Sequence, residues 1–196
     1  FLDNSGTTKG RVDTAQTTSS LASGLDGSVT LTSGTTNCST TAIATGRTAA
    51  DCIATAFSAG ASVSQAVVPV RSTAGLAIND VVMLIQMTGV GSGSYEFGKI
   101  ISLSSTTMTL QQNLQNNYKA GVAANKAQVV RVPQYVNVTV CATCTLTSKA
   151  WNDSSSGSNT YASGSVFAIF ATGTITINSG GVIDMNSKGF LGGTGG

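Results

Sequence analysis

The stretch Val81-Val-Met-Leu-Ile-Gln-Met-Thr-Gly-Val-Gly-Ser-Gly-Ser-Tyr-Glu-Phe-Gly-Lys-Ile100 decides the fold class. Its first five residues are aliphatic or Met without a break, with Asn79-Asp80 before them and Gly89-Val-Gly-Ser-Gly93 beyond. An apolar run of strand length bounded by turn residues reads as a central strand buried on both faces. The glycine-rich segment then reads as a hairpin tip, and Tyr95 opens the returning strand.

Outward from this hairpin the same signal recurs, at 63–70, 81–87, 95–103, 108–110, 128–132, 136–140, 144–147, 165–171, 174–178 and 182–185. Ser104-Ser105, Asn116-Asn117 and the polar run 154–159 lie between them. Many short strands separated by turns, with only two prolines, predict an all-β chain: an antiparallel sandwich or barrel, jelly-roll-like. The run Gly27-Ser-Val-Thr-Leu-Thr-Ser-Gly34 adds a short strand around Val29 and Leu31. The Ala-rich stretch 41–57 carries a weak signal for a helical turn, opposed by its threonines and Gly46.

Residues 1–60 hold few large apolar side chains and read as a Thr/Ser-rich extended arm with a small disulfide-closed β region; 61–196 read as the main β-domain. Near its end, Gly173-Thr-Ile-Thr-Ile-Asn-Ser-Gly-Gly-Val-Ile-Asp-Met-Asn186 sets two short apolar strands around a Gly-Gly corner, the pattern of parallel β-helix rungs. Two such units are too few for a solenoid. The run Gly189-Phe-Leu-Gly-Gly-Thr-Gly-Gly196 reads as a glycine tail that continues, and the start at Phe1, without Met or an apolar leader, as a mature exported chain.

Composition narrows function. The 196 residues contain no histidine, a single glutamate and 9% charged side chains, against about 25% in an ordinary domain. The net charge of +2 comes from scattered residues, which leaves neither a nucleic-acid footprint nor a polybasic membrane patch. The longest apolar run, 81–85, is far below a membrane span. Little charge repulsion keeps copies apart.

Four cysteines in a Thr-rich context fit disulfides of an oxidising compartment, with three pairings formally open. The favoured one joins Cys38 to Cys52, closing a loop of about 15 residues worth ~3 kcal/mol in the chain-entropy model, and leaves Cys141 with Cys144. The Cys141-Ala-Thr-Cys144 spacing also matches a redox dithiol, but it lies between strand signals rather than at a helix start. Without histidine a closed zinc site lacks ligands, so no metal or cofactor is expected.

Catalysis has little to draw on. The carboxylates form no paired motif, and Glu96, between Tyr95 and Phe97, reads as a structural group paired with Lys99 or Arg131. A serine nucleophile would need a lysine base, and no Ser-x-x-Lys occurs. Asn152-Asp-Ser-Ser-Ser-Gly157 offers oxygen ligands without the spacing of a calcium loop. Asn37, Asn137 and Asn152 fit the N-glycosylation triplet. Trp151 reads as a packing anchor before a sugar platform.

Over about 75–196 the succession 80–89, 95–100, Thr109-Leu-Gln-Gln-Asn-Leu-Gln-Asn-Asn-Tyr118, Ala127-Gln-Val-Val-Arg-Val-Pro-Gln-Tyr135, Ala150-Trp-Asn152 and Lys188-Gly-Phe190 resembles glycine-rich secreted bacterial surface proteins of adhesin-like type. That resemblance implies export and surface display and no known reaction. The layout of an apolar-poor arm before a β-domain is similar to donor-strand subunits of extracellular filaments. The leading expectation is therefore a secreted, non-enzymatic structural subunit that polymerises with copies of itself, Val29 and Leu31 of the arm being the donated residues. The alternative is an N-terminal β module of a larger surface adhesin or phage fibre that binds a glycan or receptor. An enzyme acting on polysaccharide ranks third, for want of a carboxylate or basic cluster.

Overall fold

The computed structural model describes residues 21–152 and 161–190; the arm before residue 21, most of the Asn152 loop and the final glycines lie outside them. In chain order the strands are β1 (Gly27–Leu31), β2 (Thr35–Asn37), β3 (Ala54–Ala56), β4 (Val67–Pro69), β5 (Val81–Thr88), β6 (Tyr95–Leu103) and β7 (Thr107–Leu110). They continue with β8 (Lys126–Val132), β9 (Gln134–Val140), β10 (Thr145–Thr147), β11 (Phe170–Ala171), β12 (Ile175–Ile177) and β13 (Val182–Ile183). The described chain is all β, in two bodies of different construction.

The first body is an antiparallel sheet of order β3-β8-β5-β6-β7-β4. It curls until its edge strands touch: Phe57 bridges Val70, with Ser58 N–H donating to Pro69 O and Arg71 N–H to Ala56 O. Period-two alternation sends Val82 and Leu84 of β5 inward with Val129 of β8 and Met108 of β7. Val82 and Leu84 are fully buried, each worth about 1.5–3 kcal/mol by transfer. Gly98 faces the same interior, where a Cβ would stand 2.9 Å from Leu110 Cδ1; the glycine makes room for the leucine. β5 lies between β8 and β6, in the middle of the sheet.

The second body is a parallel stack. β1, β9 and β12 run side by side with Val29, Val138 and Ile175 in one column and Leu31, Val140 and Ile177 in the next. Around a corner, β2, β10 and β13 repeat the arrangement, Thr35, Thr145 and Val182 being aligned. The corners at 32–34, 141–144 and 178–181 are short, so each strand pair is one rung of a parallel β-helix. β11 precedes β12 on the same side of β9. At the third corner Gly180 has φ +91°, and a Cβ there would lie 2.5 Å from Ala142 O of the rung below, which is why the corner is written with glycine.

The barrel interrupts this stack: the chain leaves rung one at Asn37, builds β3 to β8, and returns as rung two at Gln134. Two expectations change. The stretch 41–57 holds no helix; Ala54–Ala56 is a strand, because Thr55 and its neighbours pair with Val129, Val130 and Gln128 of β8, and such pairing overrides weak local propensity. The rung pattern at 173–186 is also not confined to the chain's end, since β12 and β13 rest on rungs contributed by residues 134–147 and 27–37.

Candidate functional site

Where barrel and stack meet, the chain buries Asp26, Asp51, Asp80 and Arg131 and partly buries Arg47. On β8, Ala127 and Val129 point into the barrel, so Arg131 follows them to the barrel's end, 2% exposed. Its Nε donates to Asp80 Oδ1 at 2.7 Å, one terminal nitrogen donates to both Asp26 oxygens at 2.7 and 2.9 Å, and the other donates to Asp51 O. Arg47 adds a second cation, 3.9 Å from Asp51 and 3.6 Å from Asp80. Asp51 accepts from the Ile43 and Ala44 amides and from the Tyr135 hydroxyl at 2.5 Å, and Asp26 from the Gln134 amide.

Three carboxylates and two guanidiniums thus tie together the turn before β1, the 38–52 loop, the approach to β5 and the ends of β8 and β9. Burial by itself would lower the Arg131 pKa, but Asp26 and Asp80 outweigh it and the net shift is upward. Burial, then the bond to Asp51, pushes the Tyr135 hydroxyl well above its ordinary value. With their oxygens committed to guanidinium, amide and phenol donors, these acids form a clamp rather than an acid and base pair. Among the described residues no group of three or more Cys, Asp or Glu is arranged to hold a metal ion.

Glu96 pairs elsewhere than expected. Its carboxylate accepts from the Gln115 and Asn116 amides at 2.9 and 3.1 Å, pinning the loop after β7, while Arg131 is taken up by the aspartates. Among the described residues, the nearest approach to a nucleophile and base is Lys149 Nζ at 3.2 Å from Ser163 Oγ, with the lysine pKa lowered by burial. Ser163 is itself buried, and the amides of Ser163, Gly164 and Ser165 donate to Asn152 Oδ1, Gln128 Oε1 and Lys149 O. Those amides are spent on the fold and form no oxyanion hole.

Cys38 is joined to Cys52 and Cys141 to Cys144. The first bridge closes the loop beside rung one and the second lies across the corner of rung two. Val29 and Leu31 are buried, paired in parallel with β9 of the same chain. Asn37 accepts from the Ser39 amide. Asn137 reaches both neighbouring rungs: its Nδ2 donates to Ser28 Oγ, and its Oδ1 accepts from the Thr174 amide. Asn152 is exposed and accepts from the Ser163 amide. Trp151 is buried, its ring centroid 5.3 Å from that of Phe190.

One solvent-facing feature stands out on this weakly charged surface. Outward-facing Tyr95 and Phe97 of β6 have ring centroids 6.1 Å apart at 81°, and Phe97 lies 5.2 Å from Phe170 of β11. The row crosses from barrel to stack and ends at Tyr95, which is 56% exposed. Sequence reading passed over it because Phe170 is distant in the chain; the alternation Tyr95-Glu-Phe97 in a strand was the available signal.

No family model and no curated protein matches the chain. Among solved structures, phage tailspikes share partial likeness. The Gp54 tailspike of Acinetobacter baumannii bacteriophage AP22, solved with an A. baumannii capsular saccharide, aligns at TM-score 0.36 and 13% identity, over 48% of this chain and 16% of its own. The gp61 tailspike of Pseudomonas phage phi297 aligns at 0.33 and 17%, over 50% of this chain and 17% of that one. For the gp49 tailspike of Pseudomonas phage LKA1 the values are 0.32 and 16%, over 63% and 27%. The chain therefore spans about a quarter or less of each tailspike's length. The similarity is weak and partial.

Proposed function

We propose that the chain is a rigid β module of a larger extracellular adhesin or fibre, and that it binds a glycan on the Tyr95–Phe97–Phe170 row. The row carries this reading: an exposed Tyr95 ring, backed by the half-buried rings of Phe97 and Phe170, lies across two bodies that are otherwise clamped together. Exposed apolar patches on a folded surface mark binding sites, and aromatic faces offer area with a polar handle at little entropic cost. The sparse charge of the chain suits a neutral, hydroxyl-rich ligand better than a phosphate or a nucleic acid. Two disulfides favour an extracellular setting, and no described helix is long and apolar enough to cross a membrane. Binding without turnover is the expected activity.

The rival reading, a homopolymer formed by donating Val29 and Leu31, has for it the sparse charge of the edge strands. Against it stands the pairing of β1 within its own chain, which donation would first have to break.

An array of bacterial surface polysaccharides tests the proposal. The wild-type chain should be retained on a subset of neutral or weakly acidic glycans, and Tyr95→Ala should lower that retention about tenfold with an unchanged melting temperature. An empty array, or retention indifferent to Tyr95→Ala and Phe97→Ala together, would refute the glycan assignment.

A further inference from the structure

The two ends of the parallel stack differ. In the inward columns the members from rungs one and two, Val29 and Leu31, Val138 and Val140, are at most 6% exposed, whereas Ile175 and Ile177 of rung three are 46% and 47% exposed. Rung one is covered on its free side: Val29 and Leu31 share a core with Cys38, Ala44 and Cys52 of the disulfide-closed loop. On rung three, among the described residues, β12 pairs with β9 alone and β13 with β10 alone.

This edge carries none of the usual protection. Exposed edges are blunted with charge, proline or bulges, but β12 is Ile-Thr-Ile and β13 Val-Ile. The corner between them is already shaped for stacking. Gly181 N–H donates to Asn178 O across it, as Cys144 N–H donates to Cys141 O in rung two, and Val182 N–H reaches down to Cys144 O. Among the described residues, rung three therefore presents upward what rung two presents to rung three: two aliphatic side chains about half exposed, a four-residue corner and a row of backbone groups with no strand paired to it.

We propose that the open face of β12 and β13 accepts a fourth parallel rung, from a polypeptide bearing two alternate aliphatic residues, a short Asn/Gly corner and an aliphatic pair. The pairing continues the existing columns at the strand spacing of about 4.8 Å. A second copy of this module fits less well. Its rung one is covered by the 38–52 loop, which blocks head-to-tail stacking, and joining two open faces reverses strand direction and breaks the columns. This inference deepens the fibre-module part of the proposed function and is independent of the aromatic row, so glycan binding can fail while it stands.

The test uses chain 1–196 and a capped synthetic peptide with the sequence of residues 173–185, the third rung itself. Labelled peptide should bind saturably in anisotropy titrations up to millimolar concentration. Backbone amides of β12 and β13 should gain hydrogen-exchange protection when it binds. A peptide with Asp at both positions equivalent to Ile175 and Ile177 should lose about tenfold or more in affinity, with the protein's own fold untouched. Absence of peptide binding, or protection arising elsewhere, would overturn the proposal. Protection that follows protein concentration without peptide would overturn it too, making a second copy the occupant.

Discussion

Barrel and stack are made from the same Thr- and Val-rich alphabet, yet they solve the edge problem in opposite ways. The antiparallel barrel is built around the hairpins of β5, β6 and β7 and brings its two edges together at Phe57 and Val70, so it needs no partner. The parallel stack joins rung one to rung two across more than a hundred positions, as at Leu31 and Val140, and among the described residues it covers only one of its two ends. A closed sheet is self-sufficient; a parallel rung always leaves a face for the next one.

The comparison breaks most sharply at the clamp between the two bodies. Replacing Arg131 with Ala leaves Asp26 and Asp80 buried without their principal cation, at a cost of about 3–5 kcal/mol. Barrel and stack should then melt in two calorimetric transitions where the wild type shows one. A single transition at an unchanged temperature would mean that the bodies are held by packing alone.

Next in size is the contrast between the two cores. Leu84→Ala in the closed barrel should cost about 2–5 kcal/mol in urea unfolding, through lost transfer energy and a cavity. Ile177→Ala, on the uncovered rung, should cost well under half of that, since half of its side chain already meets water. Equal losses would show that rung three is covered in solution.

The smallest effect separates two buried tyrosines, one in each body. Both hydroxyls are pushed upward from the ordinary value, chiefly by burial, with Glu96 assisting at Tyr118 and Asp51 at Tyr135. A raised folded pKa means that the unfolded chain loses these protons first. Their contribution is complete below about pH 10 and is lost as pH rises past the unfolded value. Tyr135→Phe should cost about 1–2 kcal/mol near neutrality, because it deprives a buried carboxylate of a donor. Tyr118→Phe, losing a long 3.4 Å bond to Leu84 O beside Glu96, should cost less, since the Glu96 carboxylate keeps its two amide donors. Both variants should soften alkaline unfolding, followed by circular dichroism between pH 9 and about 12.

The same contrast explains what the sequence discloses. β6 was legible from end to end, and β5 nearly so, because a hairpin writes its alternation and its turn in one window. β2 and β3 were not, since Thr-Thr-Asn and Ala-Thr-Ala have no period of their own and become strands only against β10 and β8. The third rung could be read at 173–186, but its two lower partners could not, since no local pattern announces a parallel neighbour on the far side of a barrel. The clamp left one overlooked trace. Arg131 sits within Val-Val-Arg-Val-Pro, and a guanidinium at an inward position of an apolar strand implies buried acids, although not that they would be Asp26 and Asp80. Glu96 was placed correctly as a structural carboxylate and given the wrong partners, because the loop amides that it binds carry no sequence signature.

The insertion of the barrel between rungs one and two also dictates an order of events. When the chain is made from its N-terminus, β1 and β2 emerge long before β9 and β10 exist to receive them. Contacts of such sequence separation are slow to form, whereas the hairpins of β5, β6 and β7 can close at once. The Cys38–Cys52 loop needs no distant partner, so in an oxidising compartment it can be sealed while rung one is still waiting. The barrel, once closed, acts as the splint that carries β9 back to the first rung, and the stack inherits its alignment from the body that interrupts it.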